Sequence, residues 1–183
     1  SLIPMMKLRF ATPEVLIDIN NIPGLAHIVQ EHGKMKIGAL TRESELEHSL
    51  PLAKIFPIFK DVTKLIADPQ VRNRGTIGGN LAHGDAANDH PAVMLALNAT
   101  VIAKGSEMAR EIPIDEFFFG FYTTALQHGE ILTEIQIPIP PPGTGSAYHK
   151  LERKVGDYAS AGVAVQITIG DDGFVKAAGI GLT

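Results

Sequence analysis

The chain contains no cysteine. That absence removes disulfides, thiolate ligation of an iron–sulfur cluster and a thiol nucleophile, so any iron–sulfur centre it works with must sit on a partner chain. No apolar run approaches the ~18 residues of a membrane span, and no basic leader followed by an apolar core reads as a signal peptide. A basic excess is lacking too: the formal net charge of −4 argues against nucleic acid as the main partner. Neither the G-x-G-x-x-G of a Rossmann unit nor the Gly-Lys-Ser/Thr of a P-loop is present. Nothing resembles a substrate-activating acid–base pair or nucleophile, and there is no internal repeat or low-complexity tract. What is there is 183 residues, 45% of them hydrophobic, enough for one or two sizeable cores of a soluble cytoplasmic domain.

The densest chemical signal is Arg74-Gly75-Thr76-Ile77-Gly78-Gly79-Asn80, with Asp85 and Asp89 just beyond it. Closely spaced glycines allow φ > 0 and a close backbone approach, so peptide N–H groups can converge on a phosphate while Thr76 and Asn80 add side-chain donors. An ordinary tight turn is the competing reading. Asp89 and His90 stand before Pro91 and the apolar run from Ala92 to Leu97, where either caps a short buried helix. Asp89 could equally accept hydrogen bonds from sugar hydroxyls. A metal site built from His83, Asp85, Asp89 and His90 is a rival reading, although zinc sites usually show tighter ligand pairs and often thiolates.

Around this signal, Val15 to Ile19 reads as a strand closing a first small unit, with an exit at Asn20 to Gly24. His27 to Glu31 and Lys34 to Leu40 read as a hairpin turning at His32-Gly33. Thr41 is the expected N-cap of a polar helix through His48. The apolar positions Leu52, Ile55, Phe56, Phe59, Val62, Leu65 and Ile66 recur at three and four, the spacing of a helix with one buried face, which Pro57 should kink or divide. Thr100 to Ala103, Glu111 to Ile114 and Ile131 to Ile137 are further strands of a largely antiparallel sheet. The Pro138 to Gly145 stretch, with three consecutive prolines, marks a boundary. Beyond it, Gly162 to Ile169 and Phe174 to Leu182 form a hairpin across Gly170-Asp171-Asp172-Gly173.

The run Ile66 to Asn80, followed by Gly84-Asp85 and Asn88-Asp89, resembles the second FAD-binding segment of the medium (flavoprotein) subunit of molybdenum hydroxylases. Further blocks in the same order extend the resemblance over essentially the whole chain: Ser1 to Lys7, Phe117 to Gly120, Glu130 to Leu132 and Tyr148 to Ala159. The likeness is greatest to the medium subunit of aerobic carbon monoxide dehydrogenases and reaches the FAD domain of xanthine dehydrogenase. It implies an α+β fold of the FAD-binding PCMH type (vanillyl-alcohol-oxidase-like), followed by the start of the flavoprotein C-terminal domain. The expected units are residues 1–22 ending a first FAD-binding subdomain, 23–137 forming the second, 138–145 linking, and 146–183 beginning the C-terminal domain. Against the family the chain reads as a fragment truncated at both ends, with Ser1 the last residue of a first glycine turn.

Residue by residue, the resemblance implies that Ser1 and Leu2 finish one diphosphate turn and that Thr76, Ile77, Gly78, Gly79 and Asn80 form the other, without needing a lysine. Asp89 would hold the adenosine side, and Leu132 would pack on a flavin or adenine ring. Lys150, or His149 one residue away, would place positive charge near the flavin, and Tyr158 would lie against the isoalloxazine. The local readings are blander: Lys150, Arg153 and Lys154 as a solvated strand edge, Tyr158 as a core or surface aromatic, Leu132 as part of a strand alternation, and Phe117 to Phe119 with Phe121 and Tyr122 as core beneath the cleft, any exposed member facing a partner subunit. The implied function is electron transfer from the iron–sulfur clusters of a small subunit through FAD to an external acceptor, with the molybdenum cofactor in a large subunit. A self-contained FAD oxidase or reductase and a flavin-free structural paralogue are the alternatives.

Overall fold

A computed structural model describes residues 2–183, so Ser1 lies outside the described residues. Helix α1, Leu2–Lys7, leads into an extended stretch in which Val15, Leu16 and Ile17 are exposed and form no strand, contrary to expectation. Apolar alternation alone does not make a strand. Its backbone donors need a ladder partner, and this stretch has none among the described residues.

The hairpin of β1 (Ile28–Glu31) and β2 (Lys34–Gly38) forms as expected. His32 and Gly33 both hold positive φ, at 48° and 73°, the conformation a two-residue turn needs to match strand twist. Thr41 does not cap the next helix: its hydroxyl donates to the His27 carbonyl at 3.0 Å and accepts from the His27 N–H at 3.1 Å. The N-cap is Arg42, and α2 runs Glu43–His48. Pro57 divides the following helical stretch into α3 (Leu50–Ile55) and α4 (Ile58–Leu65). Ile58, Phe59 and Val62 bury one face of α4, each worth ~1.5–3 kcal/mol of transfer from water.

After the single turn α5 (Pro69–Arg72) come α6 (Ile77–His83) and α7 (Asp89–Ala96), the latter N-capped by Asn88 rather than by Asp89 or His90. Strands β3 (Thr100–Lys104), β4 (Ala109–Pro113) and β7 (Ile131–Pro138) join the first hairpin in an antiparallel sheet of order β1-β2-β7-β3-β4. Between β4 and β7 a small ladder pairs β5 (Phe118–Gly120) with β6 (Thr123–Thr124). Of the aromatic cluster expected beneath the cleft only Phe117 is fully buried; Phe119, Phe121 and Tyr122 are exposed because this short ladder carries them over the surface.

A second antiparallel sheet, β8 (Thr144–Leu151), β9 (Ala161–Ile169) and β10 (Val175–Leu182), follows the proline run. The prolines separate two sheets but not two cores. Tyr148 of β8 and Ala164 of β9 belong to the same buried cluster as Phe59 and Val93. Gly179 and Gly181 let β10 lie against α7, since a Cβ at either would collide with the carbonyls of Ala96 and Ala92.

Candidate functional site

The glycine motif is the lead-in and first turn of α6. None of Gly75, Gly78 and Gly79 has positive φ, so the expected left-handed cradle is absent. Thr76, with φ −128° and ψ 148°, is the N-cap, and its hydroxyl accepts the Gly79 N–H at 3.1 Å. The other donors of this turn are also taken: Ile77 N–H by the Thr41 carbonyl at 3.2 Å, Gly78 N–H by Ala39 at 2.9 Å, and Asn80 N–H by Thr76 at 2.9 Å. The two adjacent glycines serve different ends. A Cβ at Gly78 would sit 2.5 Å from the Ala39 Cβ and 2.7 Å from its carbonyl oxygen, whereas at exposed Gly79 it would meet only the Thr76 Oγ1 at 2.8 Å.

Two adjoining grooves open here and share Arg74, Thr76 and Gly79 as lining. The first, of about 390 Å³, is otherwise walled by Asn20, Ala39, Arg42, Glu130 and Leu132. Leu132 reaches it through a β-bulge. Ile102 of β3 pairs with Glu134 and Ala103 with Leu132, which leaves Thr133 unpaired and turns Leu132 to the same buried side as Ile135 and Ile137. At the groove's edge Arg110 donates to Glu130 at 2.7 and 2.8 Å, and the Gln127 N–H adds a bond at 2.7 Å. The Arg110 hydrogen bonds first, and that N–H second, pull the Glu130 carboxyl down to about 2.

The second groove, of about 300 Å³, is lined by Glu43, Ile66, Asn80, His83, Asn88 and Tyr158. Asn80 Oδ1 is buried there without a hydrogen-bond partner among the described residues. Buried amide oxygens are almost always paired, so this one has room for a donor beyond the described residues. Tyr158 stands exposed at the mouth. Its loop is pinned on one side by Gly156, at φ 81° and packed on the Ala67 carbonyl, and on the other by the Ala159 N–H donating to Ala87 at 3.3 Å.

Asp89 and Lys150 line neither groove. They face each other in the interior, with Lys150 Nζ donating to the Asp89 carboxylate and to the Leu65 carbonyl, each at 3.0 Å. The Tyr148 hydroxyl donates to the other Asp89 oxygen at 2.5 Å, and Glu152 lies 3.4 Å from the ammonium. Burial first, then Asp89, pushes the Tyr148 hydroxyl pKa up. The expectation that Asp89 serves the adenosine and Lys150 the flavin therefore needs correction: two groups 3.0 Å apart cannot serve opposite ends of an extended dinucleotide. Nor is Lys150 a solvated edge residue, since its side chain is 1% exposed.

Beside this network His90 Nε2 and Glu43 Oε2 pair at 2.7 Å, both fully enclosed. Burial alone would lower the His90 pKa, but the Glu43 charge, its hydrogen bond and the Asp89 charge outweigh it and hold the imidazole above its ordinary value. These bonds draw His90 and Asp89 to different partners. Among the described residues no group of three His, Asp or Glu is placed to hold a metal ion.

The structure thus brings together Thr76, Gly78, Gly79, Asn80, Leu132 and Tyr158, with Ile77 buried just behind. Leu2 is exposed on α1 and lines neither groove, and Ser1 lies outside the described residues. Sequence reasoning gave no role to Arg42 or Glu43, placed Arg74 in the motif without a role, and gave His90 only a cap or metal role. Arg74 carried a local signal, its place directly before Gly75. Arg42 had none, since only the bridge pairing it with Thr76 brings it to the groove.

Residues 1–140 match the family described as the FAD binding domain in molybdopterin dehydrogenase. The carbon monoxide dehydrogenase medium chain of Hydrogenophaga pseudoflava is 52% identical over 165 residues, covering 90% of this chain and 58% of its own length. That of Afipia carboxidovorans is 49% identical over 183 residues, covering 100% and 63%. The solved carbon monoxide dehydrogenase of Hydrogenophaga pseudoflava superposes with a TM-score of 0.95 at 50% identity, over 100% of this chain and 63% of the matched one. The chain therefore spans about three fifths of these relatives, 58% and 63% of the two medium chains.

Proposed function

The chain belongs to the family of FAD-binding domains of molybdopterin dehydrogenases, and on that premise we propose that the paired grooves hold FAD. The observation that carries the reading is the convergence of Thr76, Gly79 and Asn80 on two adjoining grooves, with the buried Asn80 oxygen lacking a partner among the described residues. A flavin nucleotide fits that donor set. Its ring N–H and ribityl hydroxyls can satisfy Asn80, its diphosphate can lie over the side-chain-free rim at Gly79, and its rings can take the Leu132 and Tyr158 walls. Ser1 and Leu2, the latter opening α1, would contribute to the diphosphate end. Asp89 and Lys150 would act together at one end, as a fixed ion pair behind the Tyr158 groove.

Bound there, FAD would accept electrons singly and release them singly or in pairs. The chain's own residues would bind and orient it: Thr76 and Asn80 by hydrogen bonds, and Leu132 and Tyr158 by covering ring faces, while Lys150, neutralised by Asp89, would brace the wall behind them. The protein would be the cytoplasmic medium subunit of a molybdenum hydroxylase, between an iron–sulfur small subunit and a molybdenum-binding large subunit. The relatives' names, carbon monoxide dehydrogenase medium chains, support that placement. Substrate choice would rest with the large subunit. Residues 1–22, 23–137 and 146–183 are our proposed units, with 138–145 as the linker between the last two.

Denaturing precipitation of the purified protein tests the cofactor reading. All yellow colour is expected in the supernatant, identifiable there as FAD. Colour held in the pellet would refute noncovalent binding, and a colourless native protein that takes up no FAD would refute the cofactor.

A further inference from the structure

Resting on the FAD reading, we infer that Arg74, braced by Arg42, supplies the counter-charge for the dinucleotide's diphosphate. Four charged residues line the two grooves, and both carboxylates are engaged elsewhere: Glu43 with His90 at 2.7 Å and Glu130 with Arg110 at 2.7 Å. The two cations are not. Among the described residues neither guanidinium has a carboxylate within 4.0 Å, and Arg74 has no side-chain hydrogen bond at all. Arg42 still has Asp18 as a nearby counter-charge, reached through Asn20, so Arg74 is the guanidinium left uncompensated at the rim, and an anion there removes that cost.

Position selects the diphosphate over any other part of the ligand. Arg74 is among the residues shared by both grooves, so it stands where a ligand filling both must cross. The backbone there cannot carry the charge alone, because the N–H groups of Ile77, Gly78, Gly79 and Asn80 already have protein partners. A guanidinium offers forked donors that match two phosphate oxygens. Arg42 is held for the task. One of its nitrogens donates to the Arg74 carbonyl and the other to Asn20 Oδ1 at 2.8 Å, while Asn20 is fixed through its amide to Asp18 at 2.6 Å. Arg42 thereby sets the backbone from which Arg74 projects and adds a second positive charge behind it.

The test strips the protein of flavin and titrates it with FAD and with riboflavin, which has no phosphate. Because a hydrogen bond to a charged group contributes ~1.5–3 kcal/mol, Arg74→Gln should weaken FAD roughly ten- to hundredfold. Riboflavin affinity should not change, and Arg74→Lys should recover part of the loss. Added salt should weaken FAD binding to the native protein more than to Arg74→Gln. Unchanged FAD affinity in Arg74→Gln, with native FAD binding intact, overturns the inference and leaves the FAD reading standing. A parallel loss of FAD and riboflavin overturns it in favour of a structural role. A native apoprotein that binds neither flavin overturns the FAD reading and this inference with it.

Discussion

Alanine at Gly78 and at Gly79, one residue apart on the same helical turn, should produce opposite defects. At Gly78 the new methyl group would stand 2.5 Å from the Ala39 Cβ and 2.7 Å from its carbonyl oxygen, and neither can yield without moving β2 or α6. Overpacking of this kind costs ~1–3 kcal/mol, against which better helix propensity returns at most ~1 kcal/mol. With both contacts under 3.0 Å the cost falls at the upper end, leaving a net loss of ~1–2 kcal/mol, which corresponds to a fall in melting temperature of about 2–8 °C for a domain of this size. At Gly79 the methyl group meets only the Thr76 Oγ1 at 2.8 Å, which can rotate away. Loss of the cap, ~1 kcal/mol, is offset by a propensity gain of similar size, so the apoprotein's stability should hardly change. Its FAD affinity should drop, because the methyl group narrows the rim common to both grooves; a clash of ~1–3 kcal/mol is roughly five- to hundredfold in Kd. Thermal unfolding of the apoprotein and equilibrium FAD titration, run on both variants, separate the two effects. A Gly78→Ala protein that melts with the native one, or a Gly79→Ala protein with native FAD affinity, would refute this division of labour.

Lys150→Met should destabilise the protein by about 3–5 kcal/mol in urea denaturation, since it leaves the buried Asp89 carboxylate hydrogen-bonded to Tyr148 without its direct ion-pair partner. Adding Asp89→Asn to that variant should restore part of the loss, and a double variant no more stable than Lys150→Met would contradict the pairing. His90 is more readily protonated folded than unfolded. Its contribution is therefore complete below the ordinary value of 6.5 and is lost as pH rises through its raised folded value. Melting temperature should decline as pH rises above 6.5 in the native protein and less so in His90→Gln; equal slopes would refute the Glu43–His90 pair as the cause.

Much of the architecture was legible because its signals are local. Pro57 divides a helix wherever it stands, since its ring removes a donor and clashes with the preceding turn. His32-Gly33 and Gly170 to Gly173 close hairpins between strands adjacent in sequence. The order of motif blocks identified the family for the same reason. What the fold alone decided depends on residues distant in sequence. Asp89 and Lys150, 61 positions apart, become one ion pair only when α7 packs against β9 and β10, the strands whose sheet carries β8. The unpaired Thr133, invisible in an alternating strand, comes from register against β3, and it turns Leu132 into the groove. Gly78 and Gly79 look equivalent in the motif. Ala39, brought over by a different strand, makes one a packing residue and leaves the other open to a ligand. Short-range sterics and turn geometry are written in neighbouring residues, whereas pairing of charges and strand register is fixed by whichever surfaces the completed core brings into contact.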